Sequence, residues 1–163
     1  PYLARLNDPT PQTVSVMRHW SDMTRTCCDI ASECGDTSGA LTVVARFYSA
    51  PDVRLLRSVA ETLWDHAERA DGLRRAWPLG LQLWQASEAL APDTSERDVR
   101  AEPDREVRAT LVVDVMRERE ARQVRDALTA ALAQAQLVAD NIDIYQLLCE
   151  RRSEPVSSAS AFD

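Results

Sequence analysis

The chain has 163 residues, of which 45% are hydrophobic and 28% charged, and its formal net charge is −7 at pH 7. This length and composition are typical of one globular domain with a real core, and they exclude a disordered chain. The negative charge excludes a general basic wrapper of nucleic acid, but it leaves room for local phosphate contacts made by a few arginines.

The basic residues are all arginine: 19 are present, and the chain contains no lysine. Arginine is a permanently charged planar fork that binds carboxylates and phosphates, and it offers no amine for acetylation or ubiquitin. Four interpretations of this composition stay open: a GC-rich genome, phosphate recognition, a lattice of arginine–carboxylate pairs, and escape from ubiquitination.

The N-terminal part is predicted to be an arm followed by helices. The arm covers residues 1–13, where Pro9 and Pro11 block regular structure. Apolar residues at steps of three and four then predict helices, each bounded by glycine or proline. These helices cover residues 14–34, 38–50, 52–71 and 78–91. A charged connector is predicted over residues 92–106.

A long C-terminal helix is predicted between residues 107 and 149, because neither glycine nor proline occurs from Asp104 to Glu154. Apolar residues at alternating steps of four and three form a heptad seam for association with another helix. The seam residues are Val124, Leu128, Ala131, Ala135, Val138, Ile142 and Tyr145. A short polar tail covers residues 150–163. The predicted fold class is therefore all-α, an antiparallel bundle of four to five helices with one long C-terminal helix.

The sequence favours no catalytic or metal site. His19 and His66 are more typical of core-edge positions than of a nucleophile pair or a metal site, and no phosphate-binding glycine loop or nucleophile elbow occurs. The cysteines fit no zinc pattern and are expected to be reduced, buried thiols. We therefore predict that the protein is not an enzyme and needs no metal or other cofactor.

Several short segments, taken in chain order, carry a resemblance to a known family. They are Trp20-Ser-Asp22 before Cys27, the run from Ala40 to Ser49, Pro78-Leu79, Asp93-Thr94 followed by Arg97 and Glu102, Val124-Arg125-Asp126-Ala127, and Tyr145. Together they resemble the tobacco mosaic virus coat protein family. The resemblance implies a four-helix-bundle subunit that stacks into a helical rod around single-stranded RNA. It places Arg97, Asp126 and Thr37 near the RNA, and Glu102 among carboxylates whose repulsion loosens the rod.

The expected function is that of a non-enzymatic helical subunit, one domain over residues 1–163, which acts by self- or hetero-association. Its most specific form is a coat-like structural subunit of a helical RNA-containing assembly. The alternatives are a helical adaptor or accessory subunit of an intracellular complex and a lysine-free effector. The expected partners are a second copy, another helical protein or single-stranded RNA, with no membrane partner. The expected location is the cytoplasm, or the virion if the resemblance holds.

Overall fold

The structure is a computed structural model that describes residues 8–19, 24, 26–35, 38–69, 78–87, 105–146 and 148, with the backbone alone for residues 66–69. Within these residues it contains three helices and five strands. In chain order they are α1 Pro11–Met17, β1 Cys28–Gly35, β2 Leu41–Phe47, α2 Val53–Arg69, β3 Gly80–Ala86, β4 Ala109–Val115, α3 Glu118–Gln134 and β5 Asn141–Gln146. The prediction of an all-α helical bundle is wrong, because this is a mixed α/β fold.

The five strands form one antiparallel sheet in the order β1-β3-β4-β2-β5. From β2 to β5 the chain follows the order β-α-β-β-α-β, and each helix connects two strands that are separated in the sheet by a third. This is the ferredoxin-like, split β-α-β arrangement. The N-terminal strand β1 extends the sheet beyond β3. Such an arrangement serves many functions, so the fold alone assigns none to this chain.

Both long helices pack on the same face of the sheet. Leu56, Val59, Ala60 and Leu63 of α2 and Ala121, Val124, Leu128 and Leu132 of α3 share one core cluster with alternate residues of the strands. From β2 that cluster takes Val43, Ala45 and Phe47, each at most 2% exposed. Removing this apolar surface from water is the main force that holds the helices to the sheet. The intervening strand residues therefore face the opposite side.

The strand β2 occupies residues for which a helix was predicted. Val43, Val44 and Phe47 fit a helical spacing, but Val43 and Phe47 also fit the two-residue period of a strand. Burial alternates along β2, from half-buried Thr42 to buried Val43 and onward to Phe47. The β-branched run Thr42-Val43-Val44 favours the extended form, because branched side chains are restricted in helices and pack well on a pleated surface.

The segment predicted as one long helix contains β4, α3 and β5 instead. The chain leaves α3 through Gln136, which adopts a φ of 56°. This left-handed conformation at a helix end is usually supplied by glycine. At the other end of α3, the Glu120 carboxylate accepts a hydrogen bond from the Arg117 backbone N–H at 3.0 Å. Both helix ends thus form without the residues that normally mark them in a sequence.

The helix predicted over residues 52–71 is confirmed over Val53–Arg69, which form α2. The Asp52 carboxylate accepts hydrogen bonds from the backbone N–H groups of Arg54 at 2.9 Å and Leu55 at 3.3 Å, as expected of a residue that caps a helix. Within the described part of the chain, no helix has the length and apolar character that crossing a membrane requires. The tail over 150–163 and most of the connector over 92–106 lie outside the described residues.

Candidate functional site, the open face of the sheet

The sheet face opposite α2 and α3, which we call the open face, carries a cavity of about 500 Å³. Alternate residues of β2, β3 and β4 form its floor, and residues on both sides complete it. The described residues that line it are Thr24, Thr26, Cys28, Thr42, Val44, Arg46, Gln82, Trp84, Val107, Thr110, Val112, Asp114 and Tyr145. A volume of this size lies within the range of about 300–1,000 Å³ found for small-molecule sites.

The centre of the floor is apolar and well covered. Val44 and Val112 are opposite one another on β2 and β4, and Gln82 is opposite Val112 on β3. Val112 is 8% exposed and Thr110 is 7% exposed, although both lie on the open face. A molecule bound at this part of the floor would meet methyl groups.

Trp84 is the largest side chain of the cavity, and hydrogen bonds fix its position. Its indole Nε1 donates to Oε1 of Gln82 at 2.9 Å, and Nε2 of Gln82 donates to Oε1 of Glu33 at 2.5 Å. Trp84 and Gln82 are two residues apart on β3 and so lie on the same face. The hydrogen bond consequently aligns the indole along the strand. Because its N–H is already used, the indole offers a ligand mainly its aromatic rings.

A second polar cluster joins β2 to β5 at the opposite side of the cavity. Nη1 of Arg46 donates to Oδ2 of Asp143 at 2.9 Å, and Nη2 donates to the hydroxyl of Tyr145 at 2.6 Å. The Arg46 guanidinium carbon also lies 5.1 Å from the centroid of the Tyr145 ring. Burial works to lower the pKa of Arg46, but the hydrogen bonds and charges of Tyr145 and Asp143 outweigh it and raise that pKa. Arg46 is therefore a fixed cation whose charge Asp143 balances.

The carboxylate of Asp114 also lines the cavity. The hydroxyl of Thr42, its direct neighbour on β2, donates to Oδ1 of Asp114 at 2.5 Å. Asp114 is half-buried and has a further interaction besides this one. Among the described residues of the lining, the charged groups are Arg46 and Asp114, and both are thus already engaged by other groups of the protein.

Two short segments, one with Thr24 and Thr26 and the other with Arg105 and Val107, border one side of the cavity. Thr24 and Arg105 form a parallel β-bridge, and the hydroxyl oxygen of Thr26 accepts a hydrogen bond from the Val107 N–H at 3.0 Å. The Arg105 guanidinium lies 4.0 Å from the centroid of the Tyr48 ring, a cation–π contact that ties this segment to the end of β2. Val107 is 4% exposed and lies in the lining of the cavity.

Cys28 brings a thiol to the lining, but its surroundings do not activate it. Burial, and then the nearby Cys27 and Asp29, raise the pKa of Cys28. A raised pKa keeps the group a thiol, whereas nucleophilic attack and metal binding require the thiolate. Cys27, Cys28 and Cys34 are half-buried. Within the described residues, no group of three or more histidine, cysteine or acidic side chains is placed to hold a metal ion.

The residues of the predicted association seam do not share one helix face. Val124 and Leu128 of α3 lie in the core, and Ala131 and Ala135 pack against it. Val138 follows the end of α3 and is 85% exposed. Ile142 and Tyr145 lie on β5, where they point to opposite faces of the sheet. The prediction of one continuous helical seam is therefore wrong, because α3 ends at Gln134 and because Val124 and Leu128 are buried in the core. Association of the protein with a partner stays a prediction.

The capsid and RNA-binding predictions receive no support. Thr37, Arg97 and Glu102 lie outside the described residues. Asp126 lies on α3 and is 71% exposed, and its Oδ1 accepts a hydrogen bond from Nη2 of Arg125 at 3.1 Å. The four-helix bundle that the resemblance implies is contradicted by the five-stranded sheet.

The cavity residues were not predicted from the sequence, because they are recognisable only once the strands are known. Thr42, Val44 and Arg46 alternate with core residues along β2, and Thr110, Val112 and Asp114 do so along β4. This two-residue alternation was the available signal. Comparison with known proteins adds no assignment: no family model matches the chain, and neither a curated protein nor a solved structure is similar enough to count as a match.

Proposed function

We propose that the protein binds a small organic molecule in the cavity of the open face. The observation that carries this proposal is a cavity of about 500 Å³ with an apolar floor and polar groups at its sides. Ligand sites typically combine a mostly apolar surface with a few placed polar groups that orient the bound molecule. Here Val44, Val112 and Trp84 supply the apolar surface, and Arg46 and Asp114 supply the polar groups.

The rigidity of the lining further supports a binding role. Hydrogen bonds hold Trp84 through Gln82 and Arg46 through Asp143 and Tyr145 before any ligand arrives. A site whose side chains are already ordered loses less conformational entropy on binding, so more of the contact energy appears as affinity. The proposal is one of binding and assigns no catalytic group.

A fluorescence titration with Nile red, an uncharged planar dye that brightens in apolar surroundings, tests this function on the full chain. The decisive variant is Val112→Trp, which fills the centre of the floor, and the matched control is Val138→Trp at a residue that is 85% exposed. We expect Val112→Trp to weaken dye binding on the order of tenfold and Val138→Trp to leave it unchanged, because only the first substitution occupies the cavity. Equal binding by both variants would contradict the proposal.

A second copy of the chain is the competing occupant of the open face. Sedimentation of the wild type and of Val112→Trp separates the two cases. A dimer in the wild type that Val112→Trp converts to a monomer would show that the face is a subunit interface, and it would overturn the small-molecule proposal. The proposal predicts the same mass for both proteins.

A further inference from the structure

We infer that the cavity selects an uncharged planar aromatic molecule with a neutral oxygen acceptor, an inference that rests on the proposed binding function. Two features of the lining support this class of ligand. One is that Arg46 and Asp114, the charged residues in the described part of the lining, already have partners within the protein. The other is the fixed indole of Trp84 beside a floor of methyl groups.

The charge balance of the lining disfavours an ionic ligand. Arg46 forms an ion pair with Asp143 at 2.9 Å, where the two side chains are 23% and 44% exposed. An anionic ligand at Arg46 would have to compete with Asp143, and its own charge would be brought close to that carboxylate. Moving an ion out of water is costly unless an opposite charge is available to it.

A cationic ligand meets a similar obstacle at Asp114. This carboxylate accepts the Thr42 hydroxyl at 2.5 Å and has a further interaction. A cationic ligand would have to share the carboxylate with the partners that already hold it, and the loss of the ligand's own hydration would still have to be offset. An uncharged ligand avoids both penalties and leaves the existing pairs intact.

The shape of the cavity favours a planar aromatic body. The Gln82 hydrogen bond holds the Trp84 indole along β3. The opposed pair Val112 and Val44 forms an apolar floor on β4 and β2, the next two strands of the sheet. A flat ring can lie on the valine methyl groups and meet the indole in an offset or edge-to-face contact, the arrangements that aromatic pairs prefer.

Arg46 provides a hydrogen bond for such a ligand without requiring charge. Its guanidinium uses one N–H of Nη1 toward Asp143 and one N–H of Nη2 toward Tyr145. A guanidinium carries further N–H donors and accepts no hydrogen bonds. The matching ligand group is an oxygen acceptor, and a phenol or a ketone supplies one without a formal charge.

Three probes of one shape test the inference at pH 7: 2-naphthol, 2-naphthoate and 2-naphthylmethylammonium, each titrated calorimetrically into the full chain. We expect 2-naphthol to bind on the order of tenfold more tightly than either ion, because only the binding of an ion removes water from a charged group. Equal or tighter binding of an ionic probe would overturn the inference and leave the binding function standing. Binding of none of the three would contradict the binding function as well.

The variant Asp143→Asn is expected to bind 2-naphthoate more tightly than the wild type, a result that misfolding would not produce. Asparagine keeps an oxygen that accepts from Arg46 but removes the negative charge that balances it. We expect 2-naphthoate to bind several-fold more tightly to Asp143→Asn than to the wild type, since the Arg46 charge becomes available to it. An unchanged or weaker affinity for 2-naphthoate would show that charge pairing at Arg46 does not set the selectivity. Asp126→Asn, at an exposed residue of α3, is the matched control and should behave as the wild type.

Discussion

The indole Nε1 of Trp84 and the side-chain oxygen of Gln82, two residues apart on one strand, are joined by a hydrogen bond of 2.9 Å. Gln82 in turn donates to Glu33 on the neighbouring strand β1. The position of the largest aromatic side chain in the cavity therefore depends on two polar residues, one of which lies on the strand that extends the sheet beyond β3.

Replacing Gln82 by Leu should release Trp84 from this position. The half-buried indole N–H loses its acceptor, and an unpaired donor of this kind costs about 1–3 kcal/mol where it is buried. We expect the Trp84 indole signal to broaden or shift in nitrogen-correlated NMR spectra, and Nile red to bind several-fold more weakly. Gln85→Leu, at an exposed residue of the same strand, is the control and should change neither. An unaltered indole signal in Gln82→Leu would show that packing alone fixes the ring.

Two residues of the predicted seam should respond very differently to truncation. Leu128 is fully buried in the core, whereas Val138 is 85% exposed. We expect Leu128→Ala to lower the free energy of unfolding by about 2–5 kcal/mol, because it removes buried methyl groups and leaves a cavity. Val138→Ala should change it by less than about 0.5 kcal/mol. Urea unfolding measures both. Similar small effects at the two positions would contradict the placement of α3 on the sheet.

Gly39 should tolerate no side chain. It is buried, and a Cβ atom at this position would collide with the backbone of Val115 at the end of β4. Since backbone cannot move aside as a flexible side chain can, we expect Gly39→Ala to destabilise the fold by about 1–3 kcal/mol. The exposed neighbour offers the control, Ala40→Ser, which should leave the thermal midpoint nearly unchanged. A Gly39→Ala protein as stable as wild type would place β2 and β4 farther apart than described.

Cys28 should titrate above its ordinary pKa of 9.0 in the folded chain, because burial disfavours the thiolate. The folded state therefore binds this proton more tightly than the unfolded state does. The resulting stabilisation is fully present below pH 9.0, and it is lost as the pH rises through the higher pKa of the folded thiol.

The measurement is thiolate absorbance against pH, in a chain that keeps Cys28 and carries serine at Cys27, Cys34 and Cys149. The midpoint should lie above 9.0 in the folded protein and fall when urea unfolds it. A folded midpoint below the unfolded one would indicate that the cavity stabilises the thiolate, as a reactive cysteine requires.

The sequence predicts α2 well because every local signal agrees there. Asp52 supplies the cap, and Leu56, Val59 and Leu63 recur at helical spacing and are buried on one face. It predicts β2 poorly because Val43 and Phe47 satisfy the helical and the strand period alike. Sheet pairing decides between them, since β2 lies between β4 and β5. Neither neighbour is close in sequence, so no short window contains the information.

The boundaries of α3 and β5, which follow β4, cannot be recognised in the sequence for a different reason. Glycine and proline are absent there, and Gln136 takes the left-handed conformation that ends α3. An unbroken run of good helix formers then resembles one long helix. The cavity was unpredictable as a consequence, because Trp84 and Val112 share a face only when β3 and β4 are extended and paired.

Methyl and indole NMR shifts during titration with 2-naphthol test the central claim most directly. If the open face binds an uncharged aromatic molecule, the methyl signals of Val44 and Val112 and the indole signal of Trp84 should move together along one saturable curve. The methyl signals of exposed Val138 and core Leu128 should stay in place. Shifts confined to residues of α2 and α3, with Val44, Val112 and Trp84 unmoved, would contradict the account.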